Sequence, residues 1–375
     1  MIKELITPCL ILDQDIFENN INKIKNITSE RKLIFRPHLK TAKSKEIAKI
    51  ASKEFGHRAM VSTIEEIEQL QNCGIKDFLY SVAIIPSKFN RLANLLSNKC
   101  QITVAIDNAK VADLLVAFCK EREVEIPAVI ELDLDGHRSG VRTTNQEKLL
   151  EIGSILHEAS LLRGVMSHAG ESYALSDKLS LQNCAENEAE KTLDAANTLI
   201  NQGMNLELVT IGSTPTVISG KNFEGITELR AGVFMFFDLV QAGVGICNKN
   251  EIALSVLTSV ISVNKEIEAL IIDAGWMALS RDRGTSSQAI DYGYGQVCDI
   301  DGTIIQDLLV TSAQQEHGII QMKKGSPNQL PEFIPGDLLR ILPNHACATA
   351  AAHSKYHVVS KQNKEIKVWN RFGGW

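Results

Sequence analysis

Leu33-Ile34-Phe35-Arg36-Pro37-His38-Leu39-Lys40-Thr41 is a largely apolar run that closes on a lysine. Residues 33–40 read as a strand: bulky apolar side chains fill the run, and Pro37 removes a backbone donor near its end. An amphipathic helix follows from near Ser44, which puts Lys40 in the loop between a strand and a helix. Taken alone, a loop lysine is a solvated surface residue, because lysine is rarely buried. At the end of a buried strand, however, its amine can point into a site.

The same alternation runs outward from this stretch. Short apolar segments alternate with longer amphipathic ones from Ile16 to Cys247, the pattern of βα units on a parallel sheet. Strands are expected at 33–40, 58–62, 77–82, 102–107, 128–133, 162–168, 207–211 and 227–236, with helices at 63–73, 109–122, 145–159 and 185–202. In the last helix Ala185, Ala189, Leu193, Ala196 and Leu199 share one face. Eight such units in roughly 230 residues match a (β/α)8 TIM barrel, with an open doubly wound sheet as the alternative. After Cys247 the texture changes to strand-rich segments, such as 253–262, 269–273 and 338–342, separated by Gly, Pro, Asn and Asp. The expected organisation is therefore α/β. A (β/α)8 TIM barrel occupies residues 16–247 and a C-terminal β domain residues 248–375, joined by 1–15 through an opening strand at 8–12.

With 44% apolar and 22% charged residues among 375, the composition is that of an ordinary globular protein. A net charge of -6 argues against nucleic acid and anionic membranes as partners and leaves small molecules. The first residues show no secretory pattern and no segment has the length of a membrane span, so a cytoplasmic protein is expected. The eight cysteines form no CxxC pair and read as reduced thiols, mostly buried.

Barrel active sites are built at the C-terminal ends of the strands. Those ends carry Lys40, the run Asp133-Leu134-Asp135-Gly136-His137-Arg138, the run His168-Ala169-Gly170-Glu171-Ser172-Tyr173, then Gly212-Ser213-Thr214-Pro215-Thr216 and Arg230-Ala231-Gly232-Val233. Out of register Gly-Ser-Thr-Pro-Thr is an ordinary turn. After strands seven and eight, its hydroxyls and the glycine amides make an anion cradle. A phosphate cradle and a lysine on one mouth suggest pyridoxal 5'-phosphate. His168 and Tyr173 share a loop, as a proton-transfer group and a cofactor contact, or simply as lining of the mouth.

Six runs carry a resemblance that spans nearly the whole chain. They are Thr7-Pro8 with 10–13, Arg36 to Thr41, Gly212-Ser213-Thr214-Pro215, Glu228-Leu229-Arg230-Ala231-Gly232, Asp273-Ala274-Gly275, and Pro343-Asn344-His345-Ala346-Cys347. The chain resembles the D-threonine aldolase and D-serine dehydratase family, relatives of alanine racemase with a pyridoxal-phosphate barrel followed by a β domain. The resemblance implies that Lys40 is the Schiff-base lysine, that Ser213, Thr214, Gly232 and Val233 hold the phosphate, and that His345 and Cys347 bind a divalent metal. Arg138 is similar in position to the arginine such barrels place by the cofactor's phenolic oxygen. A homodimer is implied as well. The chain departs from the family pattern at Ala42 and Glu171, where some members carry histidine, and those positions bear on substrate identity.

The metal has a separate argument. Residues two apart on a strand face the same way, so His345 and Cys347 would present an imidazole and a thiolate together, a donor pair suited to zinc, with manganese the alternative metal. Water and substrate would complete the shell. The bland alternative is a core histidine beside a buried cysteine. The expected activity is a metal-dependent lyase acting on D-3-hydroxy amino acids, with Lys40 and His168 as catalytic groups. Retro-aldol cleavage of the D-threonine aldolase type is favoured because His168 offers a base for the hydroxyl. Dehydration of D-serine or D-threonine is the alternative, and an amino-acid racemase or a non-catalytic cofactor carrier are further ones.

Overall fold

The computed structural model describes residues 2–96, 100–361 and 365–375. These divide into two compact units, Lys23–Gly232 with Gly374–Trp375, and Met1–Asn22 with Val233–Gly373.

In the first unit eight parallel strands follow one another around a barrel: Ile34–Pro37, Arg58–Val61, Asp77–Ala83, Gln101–Ile106, Ala128–Asp133, Leu162–Met166, Leu208–Ile211 and Glu228–Ala231. The last pairs in parallel with the first, and a bridge between His38 and Met60 closes the ring. A two-residue strand, Val141–Arg142, pairs alongside Ala128–Asp133 and was not anticipated. The helices begin where side chains cap them. Thr63 and Glu66 form a reciprocal capping box ahead of Ile64–Leu70, while Asn108, Asn145 and Asp177 cap Ala109–Arg122, Gln146–Glu158 and Lys178–Ile200.

Several strands end earlier than expected, the first and the eighth by three residues or more. Pro37 has no N–H to continue the ladder, so the chain turns into a 3-10 helix at Leu39–Thr41 that carries Lys40. The eighth strand stops at Ala231, and a second 3-10 helix begins at Val233.

The barrel interior is only partly apolar. Met60, Leu79, Ala105, Val129, Met166 and Leu208, one from each of six strands, form a buried cluster. Beside it lies a set of ion pairs in which Arg36 Nε donates to both oxygens of Glu228 at 2.9 and 3.0 Å and Nη2 to Asp77 at 2.9 Å. Arg163 reaches the same aspartate at 3.2 Å. Burial works against the Asp77 carboxylate, but the hydrogen bonds and charges of Arg36 and Arg163 hold it down at about 2.

The second unit is built on an antiparallel sheet. Ala269–Ile272, Gly318–Met322, Ile304–Ala313, Gln296–Cys298, Leu338–Leu342 and Leu254–Asn264 pair in that order, and Leu254–Asn264 pairs back to Ala269–Ile272 to close the circuit. The opening strand Cys9–Asp13 pairs with Leu254–Asn264 and in parallel with Lys355–Val359, so the N-terminal segment joins this sheet as expected. No helix among the described residues is long and apolar enough to cross a membrane.

Candidate active site

The turn after strand one places Lys40 in solvent at the barrel mouth and buries His38 and Thr41 on either side. The His38 ring lies with Nδ1 3.1 Å from the Met60 carbonyl and Nε2 3.2 Å from Ser62 Oγ. A carbonyl only accepts, so Nδ1 carries the proton and Nε2 accepts from the serine. Burial, with the charges of Lys40 and Arg230, keeps this ring well below the usual histidine range.

Strand six delivers His168, whose Nδ1 donates to the Gly212 carbonyl at 2.8 Å and whose ring lies 6.3 Å from that of Tyr173. Burial, with the charges of Arg138, Arg230 and Lys40, outweighs that hydrogen bond and pulls the imidazole down to about 4. Arg138 sits on the loop after strand five, half-exposed, donating to Glu131 at 3.0 Å. Lys40, His168, Tyr173 and Arg138 thus gather on one mouth.

The turns after strands seven and eight form a tight cup. Gly212 adopts φ +145, and a Cβ there would stand 2.1 Å from the Arg230 carbonyl, so only glycine fits. Ser213 caps the helix Thr214–Ser219, accepting from Thr216 N at 3.1 Å, with Ser172 Oγ 3.2 Å away. A Cβ on Gly232 would lie 3.0 Å from both the His38 carbonyl and Thr41 Oγ1, so the end of strand eight is held close to the turn bearing Lys40. Thr214 Oγ1 is buried with no hydrogen-bond partner.

In the second unit His345 and Cys347 are brought together, but not on a strand. The strand Leu338–Leu342 ends at Pro343, which cannot donate to the ladder, and Asn344 is held by Thr285 at 2.9 Å and by the Gly293 carbonyl at 2.6 Å. The alanine-rich segment that follows forms the helix Ala346–Ala351, with His345 at its N-cap and Cys347 in its first turn. His345 Nδ1 lies 2.6 Å from Asp282. Burial favours the neutral ring, but the hydrogen bond and charge of Cys347, with Asp238 and Asp282 nearby, raise it to about 10. Asp238 is buried and accepts from Ala346 N at 2.9 Å, which fixes the start of this helix.

The chain is similar to known proteins over its whole length. The alanine racemase N-terminal domain model matches residues 12–240, and the serine dehydratase domain model matches 253–359. A D-threo-3-hydroxyaspartate dehydratase of Delftia sp. is 39% identical over 99% of this chain and 98% of its own. The chain belongs to this family of alanine racemase-like, pyridoxal-phosphate-dependent lyases. The D-serine dehydratase of Dictyostelium discoideum, 29% identical, is covered over 98% of its length and all of this chain. A 3-hydroxy-D-aspartate aldolase of Paracoccus denitrificans is 28% identical over 98% of this chain and 91% of its own. The crystallised Delftia dehydratase superposes with a TM-score of 0.95 at 38% identity, covering 100% of this chain and 99% of that one.

The residues present fit the family's cofactor. An unpartnered buried hydroxyl at Thr214, beside a serine cap, a Gly212 that no larger residue could replace and a closely packed Gly232, is a cup suited to an anionic acceptor. The structure also gives a place to groups to which the sequence assigned no role of their own. Arg230 is buried, and its hydrogen bonds go to neutral acceptors: Thr210 Oγ1 at 2.7 Å, the Thr210 carbonyl at 3.2 Å and the Ser167 carbonyl. Burial lowers it to about 10, so it stays a cation at the base of the mouth. Glu188, on the helix Lys178–Ile200, carried a signal, since a carboxylate falls within a stripe that is otherwise apolar but for Thr192. Asp282 carried none, because only folding brings it to His345.

Proposed function

We propose that this protein is a pyridoxal-phosphate- and divalent-metal-dependent lyase that dehydrates D-3-hydroxy amino acids to 2-oxo acids and ammonia. The observation that carries the metal-dependent reading is the His345–Asp282 contact. A carboxylate on Nδ1 fixes the ring and leaves Nε2, once a metal displaces its proton, as a donor beside the Cys347 sulfur, the support that metal-bound histidines usually have. Two variants of the Delftia dehydratase, one at a histidine and one at a cysteine two residues later, have the spacing of His345 and Cys347, and the cysteine variant is described in its metal-free form. A racemase has no use for such a pair.

Pyridoxal phosphate, when bound, supplies an electron sink for the carbanion at the substrate's α-carbon. Lys40 carries the cofactor and moves the α-proton. Ser213 and Thr214 with the amides of Gly232 and Val233 would hold the phosphate, and Arg138 and Tyr173 would contact the ring end of the cofactor. His345 and Cys347 would hold the metal, which would supply a positive charge for the substrate hydroxyl.

Cleavage to glycine and an aldehyde is the second reading, supported by the aldolase among the relatives. It needs a base for the substrate hydroxyl, and His168, held at about 4, is a weak one at neutral pH. Product analysis on D-threonine decides. Dehydration yields 2-oxobutanoate, abolished by a chelator and restored by zinc or manganese; glycine with acetaldehyde would establish cleavage, and chelator-insensitive interconversion of alanine enantiomers a racemase.

A further inference from the structure

Glu188 is a fully buried carboxylate that no step above uses. It sits on a helix whose other buried residues include Leu181, Ala185, Ala189, Ala196 and Leu199, a face that needs no charge to pack against a barrel. Burying a carboxylate there opposes folding unless donors converge on it. Four do. Oε1 accepts from Gly212 N at 3.0 Å, Ala169 N at 3.2 Å and Ser167 Oγ at 3.3 Å, and Oε2 accepts from Thr216 Oγ1 at 2.7 Å.

Each donor belongs to a turn of the candidate site. Gly212 is clamped on both sides, its N–H by Glu188 and its carbonyl by His168. Thr216, having given its proton to Glu188, accepts from Ser213 Oγ at 3.0 Å instead of donating to it. The carboxylate thereby sets the position of Gly212 and the direction of the hydroxyl chain that ends at Ser213, next to the unpartnered hydroxyl of Thr214.

We propose that Glu188 is a positioning residue for the phosphate cup, fixing Gly212 and Thr216 so that the turn between them presents the Thr214 hydroxyl to the phosphate of the cofactor. The proposal rests on the pyridoxal-phosphate reading above. It predicts that Glu188 matters to the phosphate end of the ligand and not to the ring.

The test is to strip the full-length protein of cofactor and titrate it with pyridoxal phosphate and with pyridoxal, which lacks the phosphate. Wild-type protein prefers the phosphorylated form. In Glu188→Ala that preference falls about tenfold or more, the scale of losing charge-assisted hydrogen bonds, while pyridoxal affinity stays within about twofold. Glu188→Gln, which keeps an acceptor for the two amides but turns a donor toward Thr216, recovers only part of the preference. Thr216→Val breaks the same link while leaving the carboxylate in place, and shows the same selective loss even if Glu188→Ala does not fold. Equal loss of both ligands, or an unchanged preference in Glu188→Ala and Thr216→Val, overturns the proposal. A wild-type protein with no preference for the phosphorylated form would instead overturn the cofactor reading itself.

Discussion

Burial, with the cations Arg138, Arg230 and Lys40 nearby, outweighs the hydrogen bond from His168 Nδ1 to the Gly212 carbonyl, so the folded protein keeps the ring neutral down to about pH 4. In the unfolded chain a histidine takes up its proton near pH 6.5. The unfolded state therefore binds the extra proton first as pH falls. Stability is fully present above about 6.5 and drains away between there and about 4. His168→Asn, which retains a donor for Gly212, is expected to flatten the slope of stability against pH in that window, read by urea unfolding at several pH values. His38, His353 and His357, also lowered mainly by burial, keep part of the slope. A slope unchanged by the substitution would show that His168 titrates normally. Lys40 is solvent-exposed in its turn, so Lys40→Ala should leave stability within about 0.5 kcal/mol. The same variant should lose the visible absorbance of bound cofactor and roughly a thousandfold or more of turnover. Retention of that absorbance would assign the cofactor to another lysine.

Both functional clusters lie where an element stops, and the stop has a chemical cause. Pro37 ends strand one and hands the chain to the turn of Lys40; Pro343 ends Leu338–Leu342 and hands it to the helix of Cys347. The two-residue strand periodicity expected for His345 and Cys347 failed because that proline and the alanine run after it favour a helix start. The pair still meets, since an N-cap and the first turn are neighbours in space. Asp282→Asn removes the negative charge behind His345 Nδ1 and should weaken zinc affinity about 10- to 100-fold by calorimetry. Unaltered affinity would leave Asp282 a surface residue. At the other cluster, Gly212→Ala sets a methyl 2.1 Å from a backbone carbonyl at φ +145. A cost of about 1–3 kcal/mol or more in urea unfolding follows, together with weaker cofactor binding.

At the scale of the molecule, the groups assigned to the cofactor come from the barrel unit and the Gly232–Val233 step that ends it, and the metal donors from the β unit. A chelator should therefore abolish activity without releasing the cofactor, followed as retained visible absorbance during dialysis against it. His345→Ala and Cys347→Ala should behave alike. Loss of cofactor in parallel with metal would refute independent binding.

The barrel was legible in the sequence because eight apolar runs separated by amphipathic ones admit few other folds, although the helix expected from 185 begins at Lys178, where Asp177 caps it. The lysine and the glycine-rich turns were legible too, since a strand end is a local property of the chain. What only the tertiary structure decided is which distant groups face one another. Glu188 lies 24 residues from Gly212 and Asp282 lies 63 from His345, and no periodicity connects them. Charge and hydrogen-bonding groups act through space over a few ångströms, and the closure of the barrel and the crossing of the β unit's strands, not the order of residues, set those distances.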